Sequence, residues 1–243
     1  LFPEASDWAS PVVITLAVIS IIYGALLAIG QDDIRRLIAY ASISHFGFIV
    51  LGIFAFTSVS ASGSTLYMVN HGLATAALFL VTGFLIQRRG SKRISDFGGV
   101  QKVAPLMSGI FMVAVLATLS LPGLAPFVSE FLVLAGTFTF SKTAAVFAAT
   151  GIILGAIYVL LMYQRTMTGP LREDNAGITD LGRREIAALA PLVALLIGLG
   201  FAPQPLLDVI NPAVDATLQN VPVPDTTPDV PVVEPQSVEG SNR

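Results

Sequence analysis

Apolar runs long enough to cross a bilayer recur along this chain, parted by short polar segments, and each run is continuous rather than alternating. Six of them fall at roughly 11–30, 36–57, 65–87, 105–140, 143–164 and 185–203. A hydrocarbon core about 30 Å thick asks for about 20 apolar residues per helix, whereas a membrane barrel shows alternating segments of about ten. The pattern therefore predicts an all-α, polytopic membrane helix bundle of about six transmembrane helices within residues 1–204. The fourth run is too long for one straight crossing, and it contains Leu121-Pro122-Gly123-Leu124-Ala125-Pro126. Proline removes a helix donor and glycine loosens the backbone. A discontinuous helix is expected there, broken at Pro122, Gly123 and Pro126.

Composition agrees: 54% hydrophobic and 12% charged residues exclude a water-soluble core. The basic residues then set an orientation. If loops alternate between the two sides, Arg35, Arg36, Arg88, Arg89, Lys92, Arg93, Lys102, Arg165, Arg172, Arg183 and Arg184 share one side, leaving Lys142 and Arg243 opposite. By the positive-inside rule the eleven-residue side is cytoplasmic. The segment 205–243 becomes an extracytoplasmic tail, proline-rich and expected to be disordered from about 221. The chain starts at Leu1 with neither a charged leader nor a small-residue cleavage site, and reads as part of a longer protein.

Against this apolar background a few polar residues stand out. Glu130 is the one acid or base between Lys102 and Lys142, and it follows directly on the expected break. An ionisable group at that depth is costly and marks an ion path by default. His45 in the second run and His71 in the third suit a proton relay, because imidazole accepts on one nitrogen and donates from the other. The alternative for both is a neutral ring hydrogen-bonded to a neighbouring helix through Ser42, Ser44 or Asn70. Asp32 and Asp33 read as caps of the second helix, and Arg88, Arg89, Lys92 and Arg93 as a topology signal that attracts anionic headgroups. Gly72, Gly83, Gly123 and Gly155 read as close helix contacts. No cysteine, nucleotide loop or zinc spacing is present, so no metal or cofactor site is expected, and nothing points to nucleic acid.

Three segments carry a resemblance: Asp33-Ile34-Arg35-Arg36-Leu37-Ile38-Ala39-Tyr40-Ala41-Ser42-Ile43-Ser44-His45-Phe46-Gly47-Phe48; His71-Gly72-Leu73 with Ala76-Ala77-Leu78-Phe79; and Leu121-Pro122-Gly123 with Phe127-Val128-Ser129-Glu130-Phe131. Over nearly its whole length the chain resembles the antiporter-like membrane subunits of proton-translocating NADH:quinone oxidoreductase, respiratory complex I. Relatives called L and N, and cation/proton antiporter subunits, look to have lysine where this chain has Glu130, so glutamate points to the subunit M branch.

The resemblance implies the carboxy-terminal half of a fourteen-helix fold: helices nine to fourteen, comprising one inverted repeat of five and the last helix. It implies that proton transfer runs through Glu130 as terminal carrier, with His71 and His45 along a hydrated axis. Where the family often has Asp-Ile-Lys-Arg this chain has arginine at 35, which keeps its proton and is left off the path. No redox centre is expected in this chain; NADH, FMN, iron–sulfur clusters and quinone belong to other subunits. Implied partners are neighbouring antiporter-like subunits and membrane lipids, in a bacterial plasma (inner) membrane. The competing expectations are a subunit of a multisubunit cation/proton antiporter or membrane-bound hydrogenase, and a scaffold whose polar residues only join helices.

Overall fold

The apolar runs are helices, as their length requires. A computed structural model describes residues 2–219 and residue 221, so the disorder expected beyond 221 lies outside the described residues. Among the described residues there are eight α-helices: α1 (Pro3–Ile29), α2 (Ile34–Phe54), α3 (Ser58–Arg89), α4 (Pro105–Thr118), α5 (Ala125–Phe140), α6 (Lys142–Met167), α7 (Arg183–Phe201) and α8 (Gln204–Leu218). Five of them, α1, α2, α3, α6 and α7, are long and apolar enough to cross a membrane alone. The chain is a multi-pass membrane helix bundle.

The fourth run is two helices. α4 ends at Thr118 and α5 begins at Ala125, with Ser120 (φ 56°) and Gly123 (φ 93°) both left-handed in the link. Pro122 and Gly123 lie in that link, but Pro126 is the second residue of α5. There its missing N–H would have no intrahelical partner, so Pro126 starts a helix rather than breaking one.

α1 begins at Pro3, eight residues before the apolar run at 11, and two further differences from the hydropathy pattern bear on the bundle. α3 begins at Ser58, seven residues before the apolar run at 65, because Ser60, Ser62 and Ser64 are buried between helices although they do not read as apolar. Small hydroxyl side chains let backbones approach closely. The second difference is α8, a segment with no element assigned to it. Leu206, Ile210 and Val214 recur at helical spacing, and Ile210 and Val214 pack with Leu66 of α3. The described part of the tail is therefore bound to the bundle.

α3 is the central helix, packed against α2, α4, α5, α7 and α8, while α1 lies on α2 and α6. Three of the four glycines singled out above do not stand at tight crossings. Nothing lies within 4 Å of a Cβ built at Gly72 or Gly83, and one at Gly155 meets nothing closer than the Tyr158 hydroxyl at 3.7 Å. Of the four, Gly123 alone touches another helix, its carbonyl lying 2.2 Å from a Cβ built on Gly200 of α7. α3 and α5 cross tightly at Gly136, where an added Cβ would stand 2.4 Å from the Ser60 nitrogen.

The basic cluster is also more than a topology signal. Arg88 grips Glu185 through two bonds of 2.9 and 2.6 Å, Arg89 pairs with Asp174 at 3.0 Å, and Lys92 pairs with Asp33 at 2.8 Å. Asp33 caps α2 as expected, its Oδ1 accepting from the amides of Arg35 (2.9 Å) and Arg36 (3.3 Å). Burial pushes its carboxyl up, but the Lys92 hydrogen bond and charge and the two amides outweigh that and hold it below the usual carboxylate range. Asp180 likewise caps α4 from a distant loop, accepting from Leu106 (2.9 Å) and Met107 (2.8 Å). These ties join the loops at one end of the bundle.

The glycine geometry makes a test. Gly136→Ala should force α3 and α5 apart, lowering both the amount of protein in membranes and its melting temperature after solubilisation. Gly72→Ala, with open space for its methyl, should change neither. Equal effects would show that the α3–α5 crossing is not set by Gly136.

Candidate functional site

Glu130 sits in the second turn of α5, 4% exposed, where the broken helix aims it into the bundle. Two hydroxyls donate to the same carboxylate oxygen, Oε2: Tyr67 of α3 at 2.9 Å, and Ser120 in the α4–α5 link. The left-handed backbone at Ser120 turns the chain away from α4 and leaves its side chain facing α5. Such a conformation is unfavourable for a residue with a Cβ and persists where surrounding structure holds it. A buried carboxylate needs donors of this kind, since its desolvation is otherwise uncompensated.

The run of hydrogen bonds continues beyond Tyr67. His45 of α2 places Nδ1 2.8 Å from the Tyr67 oxygen, and its other nitrogen, Nε2, lies 3.5 Å from the hydroxyl of Tyr158 on α6. Because Tyr67 donates its single proton to Glu130, its oxygen is the acceptor toward His45, and Nδ1 must carry a hydrogen. Nε2 is then the acceptor from Tyr158. His45 and Glu130 are thus joined through one tyrosine, with four helices contributing to the cluster.

His71 stands one turn beyond Tyr67 on α3. Its ring centroid is 5.2 Å from that of His45 and 6.4 Å from that of Tyr67, and its hydrogen-bond partner is Thr75 at 3.3 Å. No hydrogen bond described here joins it to Glu130; it meets the cluster through His45. Phe46 closes its outer side with an edge-on contact at 5.3 Å.

Asn70 fixes the break. Its Nδ2 donates to the Ala125 carbonyl at 2.7 Å and lies 3.3 Å from Ser129 Oγ, tying the start of α5 to α3. Ser44 does the same between α2 and α1, donating to the Ile21 carbonyl at 2.8 Å. Neither Ser44 nor Asn70 bonds a histidine in the described structure, so the neutral-glue alternative posed for His45 is met by tyrosines instead. Among the described residues no three His, Asp or Glu side chains come together as metal ligands.

Tyr67, Tyr158 and Ser120 were not among the residues the sequence singled out. A signal existed for Tyr67, which precedes His71 by four residues and so shares its face of α3. For Ser120 and Tyr158, no local pattern distinguishes them.

Comparison with known proteins places the chain among membrane subunits of this architecture. Residues 1–155 match the family described as NADH:quinone oxidoreductase/Mrp antiporter, transmembrane. A Mycobacterium tuberculosis protein named NADH-quinone oxidoreductase subunit M is 58% identical over 237 residues, which is 96% of this chain and 43% of that protein. A chain of respiratory complex I from Thermus thermophilus superposes with a TM-score of 0.84 at 32% identity, covering 89% of this chain and 46% of that one. A chain of the Mrp complex from Dietzia sp. superposes at 0.77 with 22% identity over 88% of this chain and 48% of that one, a likeness of fold alone. The chain spans a little under half the length of the curated relatives it matches.

If Asn70 holds the start of α5, Asn70→Leu should lower stability by about 1 kcal/mol, the usual loss of one buried hydrogen bond. Thermal unfolding of the solubilised protein measures it. An unchanged melting temperature would mean that the link itself, not Asn70, positions α5.

Proposed function

The chain belongs to the NADH:quinone oxidoreductase/Mrp antiporter transmembrane family, and from that premise we propose that it is the proton-translocating carboxy-terminal half of a complex I subunit of the M type. In this reading it moves protons across a bacterial plasma membrane while NADH is oxidised and quinone reduced in other subunits, which hold the redox groups. Neighbouring antiporter-like subunits and lipids surround it, the basic loops face the cytoplasm, and the segment after α7 lies on the opposite side. The observation that carries the proposal is the unbroken run from His45 Nδ1 through the Tyr67 hydroxyl to Glu130 Oε2, at 2.8 and 2.9 Å.

That run supports a relay whose atoms balance. A proton reaching His45 Nε2 makes an imidazolium. Nδ1 then gives its hydrogen to the Tyr67 oxygen as Tyr67 gives its own to Glu130 Oε2. The products are a neutral imidazole protonated on Nε2, an unchanged tyrosine and a neutral carboxylic acid. Tyrosine never has to carry charge, which in so dry a place would be costly. In this reading His71, whose ring centroid lies 5.2 Å from that of His45, is the group that supplies His45 with its proton.

The donors around Glu130 suit both of its states. Ser120 and Tyr67 donate to the carboxylate, and the Ser120 hydroxyl can rotate to accept from the neutral acid. A site with donors alone would hold the charge fixed, and one with none would hold the proton fixed.

Glutamine keeps the shape of glutamic acid but has no proton to release. In the assembled complex, Glu130→Gln should abolish or severely reduce proton uptake by inverted membrane vesicles on addition of NADH. Glu130→Asp should do less harm, Tyr67→Phe should slow uptake by breaking the direct link, and assembly should survive all three. Wild-type uptake with Glu130→Gln fully assembled would remove Glu130 from the path and leave a scaffold.

A further inference from the structure

A small cavity lies beside Glu130 on the side away from Tyr67. It measures about 10 Å³ as space open to the centre of a water molecule, close to the least that admits one water. Glu130, His45, Tyr158 and Thr118 face it, and the floor on α6 is made by Gly151 and Gly155. Three further observations bear on its use. Both described hydrogen bonds to the Glu130 carboxylate fall on Oε2, leaving Oε1 for the cavity. The 3.5 Å separation of Tyr158 from His45 Nε2 is long for a direct bond, and a cavity of this size borders both groups. Gly155 is not a helix contact, for a Cβ built on it meets only the Tyr158 ring, 3.7 Å from the hydroxyl and 4.0 Å from Cζ. What the missing side chain at 155 leaves open is space beside Tyr158.

We infer that this cavity is a water site forming a second branch between His45 and Glu130, and that Gly155 is the residue that keeps it open. The branch runs from His45 Nε2 through one water, held by the Tyr158 hydroxyl, to Glu130 Oε1, parallel to the direct branch through Tyr67 to Oε2. Starting from the imidazolium, Nε2 gives its proton to the water as the water gives one of its own to Oε1. Imidazole, tyrosine and water end neutral, and the carboxylate ends as the acid. Unlike the Tyr67 branch, this one leaves His45 protonated on Nδ1, the form that the resting hydrogen bonds require, so no tautomer has to be reset. Gly155 acts through the water and is a positioning residue.

The inference rests on the proton-relay reading of Glu130, and its test separates the two. Gly155→Ala adds a methyl at ordinary contact distance from Tyr158, filling the cavity without meeting backbone. Gly155→Ser adds the same carbon with a hydroxyl able to stand in for the water. Each is made alone and with Tyr67→Phe in the full complex, and proton uptake per NADH oxidised is read in inverted vesicles beside the amount assembled. Tyr67→Phe alone should retain measurable uptake. Adding Gly155→Ala should lower it by at least about tenfold, in the range of losing a proton-transfer group, while adding Gly155→Ser should leave it near the level of Tyr67→Phe. Complete loss with Tyr67→Phe alone, no further loss on adding Gly155→Ala, or equal damage from alanine and serine would each overturn the second branch. Wild-type uptake with Glu130→Gln would instead overturn the reading beneath it.

Discussion

A carboxylate in the middle of an apolar helix bundle has to be met by hydrogen-bond donors, and much of the arrangement around Glu130 follows from that requirement. A donor on its own helix is out of reach, because the residues one turn away, Pro126 and Leu134, offer none. Tyr67 supplies one donor from α3, and Ser120 supplies the other from the broken link. A straight fourth helix would carry residue 120 nearly three turns from residue 130, about 15 Å along the axis. The break brings the two together. Discontinuity, usually a cost inside a bilayer, here places a donor that no continuous helix could place.

The cost of that break is spread over neighbours with identifiable roles. Asn70 ties the start of α5 to α3 through the Ala125 carbonyl, Gly123 takes the left-handed turn, and Gly200 of α7 lets the link lie against the next helix. At the bundle end where the loops are tied, Arg88–Glu185, Arg89–Asp174, Lys92–Asp33 and the Asp180 cap hold the ends of α2, α3, α4 and α7 together. The relay therefore runs between helices fixed both beside the break and at the loops. Rigid placement matters because a proton passes only across hydrogen-bond distances.

Much of this was legible in the residues, for physical reasons that also explain what was not. Hydropathy reports lipid-facing length, so the apolar helices and the excess of the fourth run could be read, as could Glu130, a charge where none is expected. Helix–helix contact leaves no such trace. The serines opening α3 look like a loop until Gly136 is seen against Ser60, and α8 is too short and too proline-rich to register as a span. Tyrosines pass as ordinary apolar bulk, yet Tyr67 and Tyr158 are the partners of His45. Glycine spacing was a poor guide to contact: Gly72 and Gly83 face open space, whereas Gly52, Gly63 and Gly136 bring backbones together. The ion pairs of the basic cluster could not be read because its acidic partners lie far off in sequence, Glu185 being 97 residues from Arg88.

The central claim is that Glu130 changes protonation state during turnover, and infrared difference spectroscopy of the assembled complex in membranes reads that change directly. Addition of NADH should alter a carboxylic acid C=O stretching band that shifts in heavy water, and that band should vanish with Glu130→Gln while the remaining spectrum persists. A difference spectrum in the carboxylic acid region that is the same with glutamate and glutamine at 130 would mean that Glu130 keeps one protonation state throughout, contradicting its role as a carrier.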